Sequence, residues 1–576
     1  MIEIRATKKP KPRQLMNEKN VKIYAYLICS FIVIFTLGHW LRVLKRRSQF
    51  SSLALRRVPG ASVLVQVVRK VRSALIRKLA GFPSGGHALL IVIFTAVNIA
   101  FCFQHVETNK VANFAARFGW MAVANMSLCV FLGLKNTPLG LLSGTSYERL
   151  NFLHRLAGYF AIAQMTLHAI LYMVRYGLER RWHTLLEAGN WEGIVAGAAM
   201  VILLLGVARN YAYEAFYASH ILGFFLAIAF TALHRPEWVD KVPVAMIFVG
   251  SIWALDRLIR VARLLCNLVN NTATIYPLPD NGVRIIVKKP LAGAVPGSHC
   301  FVWIPSIRAF QTHPFTIVRN TKDDGLELVL DSYSGFTRAV RDCALRDAGA
   351  PLRVSVDGPY GTFPDPQSYD KVILVAGGSG ATFTFGLASS LLQKLAPDSS
   401  RQVDFIWAVR RRENLEWFAD HIQHLSQHET GLNMILHVTR QNREEIQEKE
   451  TLEQPPPLSS EPSFKTSPSK SVVKEDFQAS LAVVNNSQTI SAAMSQESVG
   501  DDVGAASIGD FCNIKHERLD VKRVLDQATE DSAPGQRVLV ASCGPKSLVD
   551  IVQSSVAWQI SSRDVSIDIH CENFGW

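Results

Sequence analysis

Four histidines carry the sharpest chemical signal in the sequence. His154, His168, His220 and His234 lie between Asn151 and Arg235, inside two long apolar segments with little charge. His154 and His168 stand 14 residues apart, and so do His220 and His234. In a helix that spacing is about 1400° of rotation, only ~40° short of a whole number of turns. Each pair therefore shares one helix face, with its members separated by about 21 Å along the axis. Two such helices side by side offer two His/His clamps at two depths, which is what two stacked haems need. Two axial imidazoles fill the coordination shell of haem iron and favour electron transfer over gas binding. A lone histidine in a membrane helix is more often a hydrogen-bonded packing residue. Four at matched spacing on two spans point instead to axial ligation.

The elements that must position these residues are membrane helices. The chain has 576 residues, 48% of them hydrophobic, and a net charge of +13, enough for two or three domains. Lys and Arg crowd the segment before Gly81, where they flank apolar runs, so the charge speaks for membrane topology and against nucleic acid as a partner. Nine cysteines are scattered as singles, with the spacing of neither a disulfide framework nor a zinc site. After a polar, basic tail at 1–20, apolar runs of spanning length fall at about 21–41, 86–104, 113–134, 152–174, 191–207, 213–233 and 242–256. The basic connection from Arg42 to Gly81 is cytosolic by the positive-inside rule, or else a juxtamembrane helix touching anionic lipid on that same face. Counting forward puts everything after Arg257 in the cytosol and forces the N-terminus outside despite its lysines. His154 and His220 then lie near the inner face, and His168 and His234 near the outer one. Sequons at Asn125, Asn270 and Asn485 fall in a span or on the cytosolic side, so no glycosylation is expected there.

Beyond Asn270 the composition is that of a soluble domain. Short β-rich runs such as Gly282–Lys288, Cys300–Ile304 and Leu326–Asp331 argue for a small barrel. It contains Pro296-Gly297-Ser298-His299, His313-Pro314-Phe315-Thr316-Ile317, Gly335-Phe336-Thr337 and Asp357-Gly358-Pro359-Tyr360-Gly361. Each motif alone is as well read as an ordinary strand-turn-strand. Next, Lys371–Ala376 has the character of a buried parallel strand, and it leads through Gly377-Gly378-Ser379-Gly380-Ala381-Thr382 into a helical segment to Leu395. Glycines there let a phosphate approach the N–H groups of a helix start, although a tight structural turn is the plainer reading. A second strand, Phe405–Val409, ends at Arg410, Arg411 and Arg412, which suit the 2′-phosphate of NADPH better than the ribose hydroxyl of NADH. A third strand, Arg537–Ala541, leads to Cys543-Gly544-Pro545, and Phe574-Gly575-Trp576 closes the sequence. Between the second and third strands, residues 444–508 have the composition of a disordered insertion.

Taken in series, these motifs resemble the ferric reductase and NADPH oxidase superfamily, whose flavin domains are similar to ferredoxin reductases and carry a His-Pro-Phe-Thr motif. The resemblance covers nearly everything from Asn151 onward except the insertion. It implies FAD contacts for His313, Pro314, Phe315 and Thr316, with Thr316 near the flavin ring and His313 toward the pyrophosphate, and phosphate contacts for Gly335, Phe336 and Thr337. It implies NADPH contacts for Gly377, Gly378, Ser379, Gly380, Thr382, Arg410, Arg411, Cys543, Gly544 and Pro545. By the same resemblance Trp576 stacks on the flavin until nicotinamide displaces it, with Glu572 ordering the site. The expected architecture is an α-helical transmembrane bundle with two b-type haems (21–266), a β-barrel FAD-binding domain (273–365) and an α/β nucleotide-binding domain (370–576).

The expected function follows from that order. Electrons from cytosolic NADPH pass through FAD and the two haems, first the His154/His220 pair and then the His168/His234 pair, to an acceptor outside. Ferric or cupric chelates at a plasma membrane are preferred as acceptors, because the outside connections, 105–112, 176–190 and 235–241, are short, about 8, 15 and 7 residues. Seven spans also resemble the fungal-type ferric reductases. A superoxide-generating NADPH oxidase is the alternative, and a non-catalytic membrane scaffold or transporter is a third reading that the flavin and nucleotide motifs oppose. Membrane lipid is the other expected partner, and the sequence does not give the oligomeric state.

Overall fold

A computed structural model describes residues 12–47, 61–208, 213–235, 241–394, 401–427, 431–440, 512–533, 535–563 and 565–572. The insertion expected at 444–508, the sequon at Asn485 and the terminal Trp576 lie outside the described residues. Among those described, seven helices are long and apolar enough to cross a membrane. They are α1 (Pro12–Arg47), α3 (Gly85–Phe103), α4 (Val111–Gly133), α6 (Tyr147–Leu178), α7 (Ala188–Leu203), α8 (Tyr213–Leu233) and α9 (Lys241–Leu268). Two shorter helices, α2 (Ala61–Ile76) and α5 (Pro138–Ser143), accompany them. The α4/α6 seam is built on small residues: Ala115, Ala116 and Ala122 on α4, and Ala157 and Ala161 on α6, are all buried. Small side chains let helix backbones approach closely where no hydrophobic effect drives them together.

The first helix corrects the expected polar tail. It is described from Pro12, before the apolar run, and Gln14, Asn17 and Asn20 are buried and hydrogen-bonded inside the bundle. Trp120 Nε1 donates to Gln14 at 3.0 Å, Arg117 Nε to Asn17 at 2.7 Å, and the Asn20 amide to the Phe101 carbonyl at 2.9 Å. Glu18 also pairs with Lys241 at the start of α9. The start of α1 thus shares the end of the bundle that holds His168 and His234, and its far end meets Gly144, next to which His39 lies. That is the direction the span count requires. In the basic connection residues 48–60 lie outside the described ones, and Arg72 and Lys78 pair with Asp568 and Asp550 of the chain itself.

Beyond α9 seven antiparallel strands form the barrel: β1 (Thr272–Pro277), β2 (Gly282–Val287), β3 (His299–Trp303), β4 (His313–Thr321), β5 (Gly325–Asp331), β6 (Leu352–Arg353) and β7 (Ser355–Tyr360). Their order is β6-β1-β2-β5-β4-β3-β7. Alternation sets the inner face: Ala273 and Ile275, and Val283, Ile285 and Val287, are buried at every second position. Helix α10 (Phe336–Arg346) plugs the barrel with Phe336, Val340 and Ala344. Of Asp357-Gly358-Pro359-Tyr360-Gly361, the first four residues run along β7 and the turn comes at Gly361 with φ +94°.

The last domain is a parallel sheet of β8 (Lys371–Gly377), β9 (Gln402–Val409), β10 (Leu432–Val438), β11 (Asn513–Lys515), β12 (Arg537–Cys543) and β13 (Ser566–Glu572). Strand β8 is buried along its whole length, as befits a strand covered on both faces. Around the sheet lie α11 (Ala381–Leu392), α12 (Ala419–Ser426), α13 (Val521–Glu530) and α14 (Lys546–Ser562). The order β11-β10-β9-β8-β12-β13 reverses direction between β8 and β12, and ligands of such sheets bind in the crevice at the carboxyl ends of the strands flanking that reversal.

One buried charge joins the bundle to the barrel. Asp357 is fully buried on β7, with Arg260 Nε at 2.8 Å and Arg263 Nη2 at 2.9 Å reaching down from α9. Removing one partner of such a pair strands the others and costs about 3–5 kcal/mol. Asp357→Ala should therefore lower stability by that order in chemical denaturation and expose the joint at Leu268–Asn271 to protease. An unchanged midpoint would mean that the joint is held by other contacts.

Candidate functional site

The four histidines come together as two facing pairs. The rings of His154 and His220 lie 6.4 Å apart between centroids, and those of His168 and His234 lie 6.0 Å apart. A metal–imidazole bond of about 2 Å on each side, plus the ring radii, gives roughly 6 Å between centroids. The donor chemistry agrees. His154 Nδ1 lies 2.8 Å from the Cys129 carbonyl, His168 Nδ1 lies 2.8 Å from the Ala115 carbonyl, and His234 Nδ1 bonds the Gly189 carbonyl. A carbonyl only accepts, so in these three rings Nδ1 carries the proton and Nε2 keeps its lone pair for a metal. Beside the second pair is a cavity of about 680 Å³ lined by His168, His234, Gly119, Gly193 and Trp120, within the size range of cofactor sites.

Three glycines make room for these rings, and the sequence reading overlooked them. A Cβ on Gly119 would stand 2.6 Å from the His168 ring, one on Gly133 2.9 Å from His154, and one on Gly193 2.7 Å from His234. Gly119 and Gly133 are 14 residues apart on α4, repeating the histidine spacing of the antiparallel neighbour α6. That shared interval was the available signal.

The barrel motif is divided by strand alternation. His313 and Phe315 face α10, where the His313 ring stacks on Phe336 at 4.2 Å and Phe315 lies 6.1 Å from it. Thr316, buried, points the other way from Phe315 and pairs in register with His299 of β3. Gly335 caps α10 with φ +62° and open space where a Cβ would be, leaving the first amides of the helix accessible to an anion. The Thr337 hydroxyl is already taken locally, accepting from the Tyr333 amide and donating to the Ser334 carbonyl, each at 3.1 Å.

In the nucleotide domain the two expected turns meet at the topological switch. Gly377, Gly380 and Gly544 pack against Pro545, Leu548 and Cys543 so closely that a Cβ on any of them would collide. Gly378, with φ +55°, has open space, and the Trp407 indole donates to its carbonyl at 3.0 Å. The Thr382 hydroxyl donates to the Ser379 carbonyl at 3.0 Å. Arg411 is committed to Asp280 of the barrel at 2.8 Å, whereas Arg410 is exposed at the strand end. Burial, with the Glu572 carboxylate adding to it, pushes the Cys543 thiol well above its ordinary pKa, so it remains a neutral thiol.

The first turn of α6 links all three domains, another feature not foreseen from the sequence. Glu148 lies 2.9 Å from His299 of the barrel, Tyr147 packs edge-on against Tyr360, and Arg149 lies 3.0 Å from His570 of the nucleotide domain. His570 in turn contacts Glu572 at 2.7 Å. The signal available was only a charged turn opening an apolar helix.

Bundle, barrel and doubly wound sheet together define the architecture of a membrane-bound, flavin- and nicotinamide-linked protein. Residues 118–231 match the ferric reductase like transmembrane component, residues 267–363 an FAD-binding domain, and residues 369–557 the ferric reductase NAD binding domain. Ferric/cupric reductase transmembrane component 2 of Saccharomyces cerevisiae is 27% identical over 501 residues, covering 83% of this chain and 64% of that protein. Ferric reductase transmembrane component 4 of the same yeast is 25% identical over 490 residues, 82% of this chain and 64% of that one. A probable cell surface ferric reductase of Aspergillus oryzae is 25% identical over 417 residues, 66% of this chain and 55% of that one. The chain thus spans somewhat under two thirds of the length of these relatives. Ferric reductase models thus match both its transmembrane region and its nucleotide-binding region, with an FAD-binding model between them.

The glycine cradles give a direct test. With one haem in each clamp, Gly133→Val should displace the His154 ring and lower the haem bound per chain by about half, measured as pyridine haemochrome against protein. Full haem content in that variant would contradict the fit.

Proposed function

We propose that the chain is a transmembrane ferric-chelate reductase, acting also on cupric chelates. It takes electrons from cytosolic NADPH and delivers them across the plasma membrane, serving metal uptake. The carrying observation is the pair of facing histidine clamps in one bundle, joined through α6 and α9 to a barrel and nucleotide domain. His154 with His220 would hold an inner b-type haem, and His168 with His234 an outer one. FAD would lie along Thr316 and His313, with its pyrophosphate at the start of α10, where Gly335, Phe336 and Thr337 leave helix amides open. When bound, FAD converts hydride transfer from NADPH into the single-electron transfers that haem iron accepts.

The remaining residues place and shield. The Gly377–Gly380 turn, Thr382 and the Cys543-Gly544-Pro545 turn would receive the dinucleotide at the β8/β12 switch, and Trp576 would cover the flavin until nicotinamide arrives. Arg410 is the better-placed group for the 2′-phosphate, since Arg411 is held by Asp280. No side-chain base is required.

A superoxide-generating oxidase is the alternative acceptor chemistry. Two observations favour chelates. The described outer connections are short, from α3 to α4 and from α6 to α7, and the cavity beside the outer clamp reaches Glu187 of the second and Asn190 in the first turn of α7. The relatives carry the name ferric or cupric reductase.

Purified protein in vesicles, given NADPH, should reduce ferric chelate on the face opposite the nucleotide domain and produce little superoxide. Rapid superoxide formation with the chelate untouched would overturn the assignment. Arg410→Ala should raise the KM for NADPH about 10- to 100-fold and leave that for NADH nearly unchanged, as expected for the loss of a charged hydrogen bond of about 1.5–3 kcal/mol. Equal effects on both nucleotides would remove Arg410 from the phosphate site.

A further inference from the structure

The helix before the second span has an apolar face that nothing among the described residues covers. On α2, Val63, Leu64, Val67, Val68 and Val71 are 50–63% exposed, and Leu75 is exposed beside them. At 100° per residue these six positions fall within about 140° of the helix circumference. The opposite side is fully engaged with the nucleotide domain. Arg69 donates to the Arg563 carbonyl at 3.1 Å, Arg72 pairs with Asp568 at 2.5 Å, and Ser73 donates to the Ala557 carbonyl at 2.6 Å. Lys78 pairs with Asp550, and the Gln553 amide donates to the Ile76 carbonyl at 2.6 Å. The contacts run antiparallel along α14, so α2 is fixed by one face and bare on the other.

Its position says what covers the bare face. The chain leaves α2 through a tight turn in which the Gly85 amide donates to the Arg77 carbonyl at 2.9 Å, and there the membrane span α3 begins. Leu79 and Phe82, 41% and 39% exposed in that turn, carry the apolar strip from α2 to the first residues of the span. The strip therefore lies level with the cytosolic boundary of the bilayer. Lys70 and Arg77 are exposed beside it, placed as basic residues are in helices that lie on anionic leaflets.

We infer that α2 is an interfacial helix whose Val63–Leu75 face sits in the inner leaflet, strapping the nucleotide domain to the membrane through α14. The occupant is lipid, at the acyl–headgroup boundary. The inference rests on the span topology and not on the redox reading.

The test uses the full chain in nanodiscs of phosphatidylcholine and phosphatidylserine doped with a phospholipid bearing a diazirine on its acyl chain. After photolysis, peptide mapping should find adducts at Val63, Leu64, Val67, Val68 or Val71, as in α3. Arg69 and Ser73 should be spared. Labelling of α3 with none on α2 would overturn the inference, including the case in which a protein partner or a second copy covers the face. In Val67→Asp/Val71→Asp, labelling of α2 should fall at least fivefold while α3 labels as before. Undiminished labelling of α2 would equally count against it.

Discussion

A polar N–H left unpaired in hydrocarbon costs several kcal/mol, and that constraint organises the bundle. His154 and His168 meet it by turning Nδ1 to backbone carbonyls of α4, which is feasible only because α4 lacks a side chain where each ring crosses it, at Gly133 and Gly119. Once Nδ1 is spent, each ring presents Nε2 to the gap facing α8. The helix interval then does the rest: equal 14-residue spacings on α4, α6 and α8 bring both clamps into register, so one error of helix phase would misplace both.

The same helix carries the clamps to the soluble domains. His154 is five residues past Arg149, and the turn before it is gripped by His299 of the barrel and His570 of the nucleotide domain. Helix α9 supplies the second rigid tie through Arg260, Arg263 and the buried Asp357. Two ties from different helices hold the barrel in one orientation over the His154/His220 clamp, so its distance to His154 is set by packing and not by a linker. That rigidity is what a relay needs, because electron transfer between fixed centres requires placement and potential tuning, with no moving acid or base.

Much of this was legible in the sequence, for identifiable reasons. The spans, the histidine pairs, the barrel strands and the two glycine turns all follow from hydrophobic period and turn chemistry, which are local. What was missed is interhelical. Gly119 and Gly133 mean little until α6 is known to cross them, and the buried start of α1 was hidden because Gln14, Asn17 and Asn20 look like a solvated tail until Trp120, Arg117 and Phe101 are placed opposite. Arg410 and Arg411 were read as equals, and only the fold brings Asp280 to one of them. The domain joints at Asp357 and His570 pair residues about 97 and 421 positions apart, a range at which sequence pattern carries no information.

The central claim is that each facing pair of imidazoles closes on one iron. Near-infrared magnetic circular dichroism of the oxidised, purified chain, with haem quantified in the same sample, tests it directly. The account predicts two low-spin haems per chain, both with the charge-transfer band of bis-imidazole ligation. A high-spin signal, a band of another ligand pair, or no haem in folded protein would contradict it.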